Sequence, residues 1–397
     1  MSLIILAVLF LFLLQGKPRF AYSLAEDGSS LSHNRTNVIN AFFIVIVLLR
    51  HINQRIVPFY GADVIYRDFF DSMAGQGIVS TFFFFSGYGI MKAIQRKKDV
   101  YVRELMSRRF LRLYVNTALC CILAHFVYSF THLTSFEAIY GVAKTMIGAG
   151  SYWFIIMTLL LYVTTWIGFR ICGVSRPVRS VMLSALLIYV VCALGLKCKP
   201  MWWLDTELCF PCGMLFAIYL NKIENAIRWT RLPIVVIGGL FLILGWALMR
   251  YHMYGCYLIQ KVILVDVLDE KNKMIIANLY HIFVYPLCTV VWVLGILWIF
   301  ASIRWKKEPA FLVWLGGPAV FYIFVLHFIP IRVIQACGAS GEFSTGVITD
   351  AFGWGASYPV LCIVGVLFAS LLMAYMGHKF IPRVDSWLFE RGKQVKS

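Results

Sequence analysis

Residues 37 to 51 set the chemical question. Asn37, Asn40, Ile44, Val47 and His51 recur at spacings of three and four, which puts them on one face of a helix. Asn40 and His51 lie eleven residues apart, about three turns or ~16 Å, and nearly eclipsed in azimuth. Polar groups in an otherwise apolar stretch are costly against lipid, so this stripe is expected to face other protein. Histidine exchanges a proton near neutral pH, as a general base must. An imidazole in such a place can equally be satisfied by a neighbouring carbonyl. His327 stands at a comparable depth in a second apolar stretch, beside Gly316-Gly317 and Tyr322. Two imidazoles could thus share one cavity.

Arg108, Arg109 and Arg112 are a second kind of signal. Their spacings of three and four crowd them on one helical face, where guanidinium forks suit phosphate oxygens of a nucleotide or coenzyme. The same cluster also serves orientation and anionic lipid. Arg50 and Arg55 fit snorkelling to outer headgroups, and His125 and His378, near the ends of apolar stretches, receive no role.

These residues need a frame, and composition says which. The 397 residues are 61% hydrophobic and 14% charged, with a mean hydropathy of +0.79. Soluble averages are near ~25% charged, so most of the chain is expected in lipid. Apolar runs near the ~20 residues that cross a bilayer fall at roughly 2–16, 36–57, 74–94, 113–131, 152–170, 178–196, 203–221, 232–250, 276–301, 311–331 and 357–378. The expected fold is therefore all-α, a polytopic bundle of about eleven transmembrane helices. Its expected divisions are an extra helix and linker over 1–35, a membrane domain over 36–380 and a basic tail over 381–397. The first run lacks a basic segment before it and a small-residue cleavage site after it, so a retained helix is expected rather than a signal peptide.

The net charge of +17 would suggest nucleic acid in a soluble protein. Here 25 of the 36 Lys and Arg fall in alternate connections between the runs, the imbalance that orients membrane proteins with basic loops in the cytoplasm. No nucleic-acid partner is expected. The reading is an integral inner-membrane protein with its N-terminus outside and its C-terminus cytoplasmic. Most of the eleven cysteines sit in apolar runs as small hydrophobes. Cys209-Phe-Pro-Cys212 stands alone, too weak a signal for a metal, and no metal is expected. Cys198, Cys209 and Cys212 lie near the outer surface, where an oxidising compartment would permit a disulfide.

Four stretches together resemble a known family. They are Asn34-Arg35 leading to Arg50-His51; Gln76 to Gly89, ending Phe85-Ser86-Gly87-Tyr88-Gly89, with Arg108 to Arg112 after it; Tyr152-Trp153-Phe154; and Leu315-Gly316 through Tyr322 to Leu326-His327. In order and spacing they resemble the integral-membrane acyltransferase 3 group, which includes bacterial O-acetyltransferases of surface polysaccharides. The likeness covers residues 34 to 330. One departure stands out: the family pattern has Arg or Lys eleven positions before the histidine, often with an acidic residue three before that, where this chain has Asn40 and Asn37. Arg35, sixteen positions before His51, is not the equivalent residue.

The resemblance implies transfer of an acyl group, usually acetyl from acetyl-CoA or another acyl-CoA, to a hydroxyl of a surface or lipid-linked glycan. Under it, His51 is the expected base or acyl carrier, with Asn40 positioning it. Ser86-Gly87 and Tyr88 are the expected oxyanion donors. Arg35, Arg108, Arg109 and Arg112 would hold the coenzyme, and Trp153, Tyr322 and His327 would face the acceptor. Membrane lipids are the remaining partner. Two other classes stay open: a transporter or flippase of a lipid-linked glycan, and an inactive relative that has lost the charge at position 40.

Overall fold

The computed structural model describes residues 2–23, 31–55, 75–129, 153–263, 269–338 and 359–394. Among them the regular structure is helical but for two two-residue strands. Helix α1 (Ser2–Gln15) leads to β1 (Arg19–Phe20) and α2 (His33–Arg55). Helix α3 (Gly75–Leu105) passes through a π-helical turn (Met106–Phe110) into α4 (Leu111–Ser129). Then come α5 (Trp153–Cys172), α6 (Pro177–Gly195), α7 (Cys209–Trp229), α8 (Ile234–Leu258) and α9 (Glu270–Ser302). Strand β2 (Ile303–Arg304), three short helices α10 (Ala310–Leu315), α11 (Val320–Leu326) and α12 (Phe328–Gly338), and α13 (Pro359–Gln394) complete the order.

The polytopic helical fold is as expected; the number of crossings is not reproduced one for one. Seven helical stretches among the described residues are long and apolar enough to span a membrane, and Ser2–Gln15 and Val320–Ile331 are apolar but shorter. Besides the shortness of Ser2–Gln15, three physical reasons separate seven from eleven. The run 311–331 is broken at Gly316-Gly317-Pro318, where two glycines and a residue without an N–H interrupt the hydrogen-bond ladder. The run 203–221 begins its helix only at Cys209, after a 3-10 turn at Met201–Trp203. The runs 74–94 and 113–131 fall in one helical stretch, Gln76–Ala124, bent at Lys98, whose φ of 50° and ψ of −137° leave the helical region. Tyr152 and much of the connections before α3, α5 and α13 lie outside the described residues.

Lipid-facing character is plain on the outer helices: Leu194, Ile243 and Phe368 are mostly exposed on α6, α8 and α13, an arrangement stable only where apolar surface meets apolar solvent. Small residues let the helices approach inside the bundle, as membrane packing requires. The α3–α7 crossing is reciprocal. A Cβ on Gly87 would overlap the Phe210 carbonyl, and one on Gly213 would overlap the Phe84 carbonyl.

Contacts also group the ends of the helices. Strands β1 and β2 pair antiparallel, Arg19 opposite Arg304. Trp305 donates to the Leu13 carbonyl, Tyr22 donates to the Arg231 carbonyl, and the Ser32 hydroxyl bonds Glu308. The segments containing Lys17, Arg19 and Arg35, Arg231, and Arg304 to Lys307 therefore meet at one end, as the charge pattern groups them. At the other end Gln76 donates to the Trp202 carbonyl, and the candidate site opens there.

Candidate active site

His51 comes from the last turns of α2 and His327 from the junction of α11 and α12. The glycine pair between α10 and α11 sets their register. A Cβ on Gly316 would overlap the Asn37 carbonyl and the Ala41 nitrogen, and one on Gly317 would stand 2.6 Å from the Asn37 amide. Only side-chain-free residues allow the broken helix to lie this close to α2. The approach brings His51 Nδ1 within 2.7 Å of His327 Nε2. The ring planes agree within 6° with centroids 4.9 Å apart. A nitrogen separation of 2.7 Å is far inside the roughly 3.5–4.0 Å of layered carbon contact, so the rings meet edge to edge.

The direction of this bond follows from the next one. His327 Nδ1 lies 2.8 Å from the Ile323 carbonyl, and a carbonyl only accepts, so Nδ1 carries the proton and Nε2 is the acceptor. His51 must then donate from Nδ1, which leaves its Nε2 as a bare lone pair. His327 is fully buried.

His51 opens on a cavity of about 1240 Å³, above the ~300–1,000 Å³ of drug-sized sites. Phe154 and Phe324 line it, their rings 5.0 Å apart, with Phe83 stacked 4.5 Å from Phe154. Trp153 and Trp202 make a perpendicular corner, 87° apart at 5.3 Å. Arg50, Arg55 and Arg250 contribute guanidinium groups.

A second cavity of about 430 Å³ holds Arg108, Arg109 and Arg112 together with Tyr101, Tyr162 and Asn116. The π-helical turn carries the first two arginines, a device that recurs at functional sites because it re-aims side chains. Arg108 pairs with Glu104 at 2.8 Å, and Arg109 Nε donates to the Tyr101 hydroxyl at 3.2 Å. One short helix contributes a lining residue to each cavity. Phe321 lines the second and Phe324 the first, three residues or ~4.5 Å of helix apart.

Residues 35–374 match the acyltransferase 3 family, described as an acyltransferase domain. The chain belongs to that family. The match covers most of the sequence, so this is a membrane acyltransferase. Comparison with curated proteins and with solved structures gives no match.

Set against the acyltransferase reading, the expected residues fall into three groups. His51 and Trp153 come together at the first cavity, and Arg108, Arg109 and Arg112 at the second; His327, expected to face the acceptor, is instead fully buried against His51. The rest lie elsewhere. Arg35 sits over the Trp305 ring at 5.8 Å, away from the arginine cavity. Ser86 bonds Tyr162, while Tyr88 is buried toward Phe216 of α7; neither lines the His51 cavity. Gly87 has a packing reason at the α7 crossing, and its amide lies within continuous helix. Tyr322 packs on Gly377 and His378 of α13. Asn40 keeps a buried side-chain oxygen with no hydrogen-bond partner.

Sequence reasoning missed a second polar chain on the same cavity. His252 Nδ1 donates to the Met249 carbonyl at 2.5 Å, and His252 Nε2 lies 3.1 Å from His281 Nδ1. His281 Nε2 faces Asp205 Oδ2 at 3.6 Å. His252 and Asp205 fall at or beyond the ends of apolar runs, so a search restricted to spans passes over them. The pairing of two histidines across the α8–α9 hairpin appears only in three dimensions.

The described cysteines are free thiols. Cys209 is buried, within 3.2 Å of the Thr289 hydroxyl.

Proposed function

We propose that the protein transfers an acyl group from an acyl-CoA at its basic, cytoplasmic end to a hydroxyl of a glycan bound in the His51 cavity. The observation that carries this reading is the ordered pair His51–His327, which leaves His51 Nε2 unprotonated toward a cavity large enough for a sugar.

In the reaction, Nε2 of His51 takes the proton of the acceptor hydroxyl as its oxygen attacks the thioester carbonyl. The tetrahedral intermediate collapses, the carbon–sulfur bond breaks, and the imidazolium returns the proton to the leaving sulfur. His327 plays the part of the third member of a triad: it holds the ring of the base in one tautomer and one orientation. As a neutral imidazole it orients without adding a negative charge. Arg108, Arg109 and Arg112 hold coenzyme phosphates by charge-assisted bonds, and the acyl end passes to His51 by way of Phe321 and Phe324, which line the two cavities on one helix.

The test follows label from acyl-CoA into glycan in membranes carrying the wild type or His51→Ala. Label that depends on His51 supports the assignment, and equal labelling overturns it.

A further inference from the structure

The second cavity changes character along α4. Its arginines come first; past Arg112 the wall includes Leu113, Tyr162 and Phe321, with Asn116 as a polar side chain among them. Asn116 follows Arg112 by four residues, so it shares that face one turn further on, about 6 Å along the helix.

The amide of Asn116 is unsatisfied where its neighbours are not. Thr117 donates to the Leu113 carbonyl at 2.7 Å, and Arg109 donates to the Tyr101 hydroxyl, while Tyr162 bonds Ser86. The side-chain oxygen of Asn116 is buried and has no hydrogen-bond partner among the described residues. Such a group costs free energy until a donor reaches it, and the cost is sharpened in an apolar stretch. A ligand in the cavity that presents an N–H removes it. A carboxamide offers an acceptor and a donor side by side, which is the complement of another amide.

The course of α4 decides which part of a ligand arrives there. Helix α4 packs against both α11 and α12. Its first turns share the second cavity with Phe321 of α11, so its later turns run on toward α12, whose Phe328 lines the first cavity. Asn116 therefore lies past the arginines on the side of His51. Helix α5 gives the span to be bridged: Phe154 lines the first cavity and Tyr162 the second, eight residues or about 12 Å of helix apart. With phosphates on the arginines and the thioester at His51, the part of an acyl-CoA between them is the pantetheine arm, a chain of methyl and methylene groups linked by two amides. Its apolar parts suit Leu113 and Phe321. The adenine lies on the far side of the phosphates.

We propose that Asn116 recognises the pantetheine arm of the donor, its carboxamide pairing with one of the arm's two amides and accepting that N–H. The inference rests on the proposed use of acyl-CoA, and its test separates the two without turnover.

Binding is measured on purified protein in nanodiscs of neutral lipid. The probes are coenzyme A, its adenosine bisphosphate half, and two coenzyme A analogues in which an ester oxygen replaces one amide N–H or the other. The wild type should bind coenzyme A about three- to tenfold more tightly than one of the two ester analogues, the size of one neutral hydrogen bond. Asn116→Leu, close in shape, should lose that preference and bind coenzyme A weaker by the same factor, with affinity for the nucleotide half unchanged, which also reports an intact arginine cavity. Asn116→Ala repeats the comparison with a smaller side chain should the leucine not be accommodated. Equal wild-type affinity for coenzyme A and both ester analogues overturns the proposal, as does an ester penalty that persists without Asn116. Weaker binding of the nucleotide half in both variants would move Asn116 to the nucleotide and overturn it too. A wild type that binds neither coenzyme A nor its nucleotide half overturns the acyl-CoA reading itself, and the role of Asn116 with it.

Discussion

Replacing His327 by phenylalanine removes the acceptor for the His51 Nδ1 proton while keeping a flat ring in a fully buried site. The neighbourhood tolerates it: Phe328 lies 4.1 Å and Phe324 6.3 Å from the His327 ring. What is lost is the 2.7 Å bond. A buried donor left without its partner costs about 1–3 kcal/mol, and the freed imidazole can turn or change tautomer. At about 1.4 kcal/mol per tenfold, kcat falls about 5- to 150-fold. His327→Gln should retain most activity, because an amide oxygen near the position of Nε2 still accepts. The assay is steady-state acyl transfer with saturating acceptor, with nitrogen NMR of labelled histidine to read the His51 tautomer. KM for acyl-CoA should not change, since the arginine cavity is untouched. Activity of His327→Phe within about threefold of wild type, with the tautomer unchanged, would refute the orienting role.

Three further outcomes follow from the same structure. Gly213→Ala forces a Cβ into the Phe84 carbonyl and should cost about 1–3 kcal/mol, whereas Gly365→Ala meets nothing within 4 Å and should gain about 0.5–1 kcal/mol of helix stability; thermal unfolding in detergent compares the two. Arg109→Met should raise KM for acyl-CoA about tenfold or more through loss of a charge-assisted bond. KM for the acyl-pantetheine fragment, which lacks the nucleotide, should stay unchanged, and equal effects on both donors would remove Arg109 from phosphate binding. Asn40→Leu deletes a buried oxygen that has no partner among the described residues, so it should leave Tm unchanged or raise it by a stability gain of up to about 1 kcal/mol. If that oxygen accepts a bond from the reacting complex, transfer falls about tenfold; unchanged transfer would give Asn40 no part in catalysis.

The sequence carried the membrane class, the grouping of basic segments and the shared depth of His51 and His327, because each depends on local pattern: hydropathy, charge bias and helical periodicity. It carried the arginine cluster for the same reason. Other features lay beyond it. The break at Gly316-Gly317-Pro318 divides an apolar run that hydropathy treats as continuous, and its function is the close approach to Asn37 that seats His327 on His51. Gly87 reads as a chemical motif beside Ser86 and Tyr88, yet its contact is the Phe210 carbonyl on a helix more than 120 residues away. The contact of His252 with His281 needs α8 and α9 packed together, and Asp205 reaches it from the segment ahead of α7. Spacing along a chain cannot report contacts made only when helices pack.

The central claim is that a donor from the basic end meets an acceptor in the opposite cavity at His51. Proteoliposomes with the protein in one known orientation test it most directly, with labelled acyl-CoA supplied on one side and glycan on the other. The account predicts labelled glycan only when acyl-CoA faces the Arg108–Arg112 end, and none with His51→Ala. Equal labelling from either side, or labelling that survives the loss of His51, would contradict it.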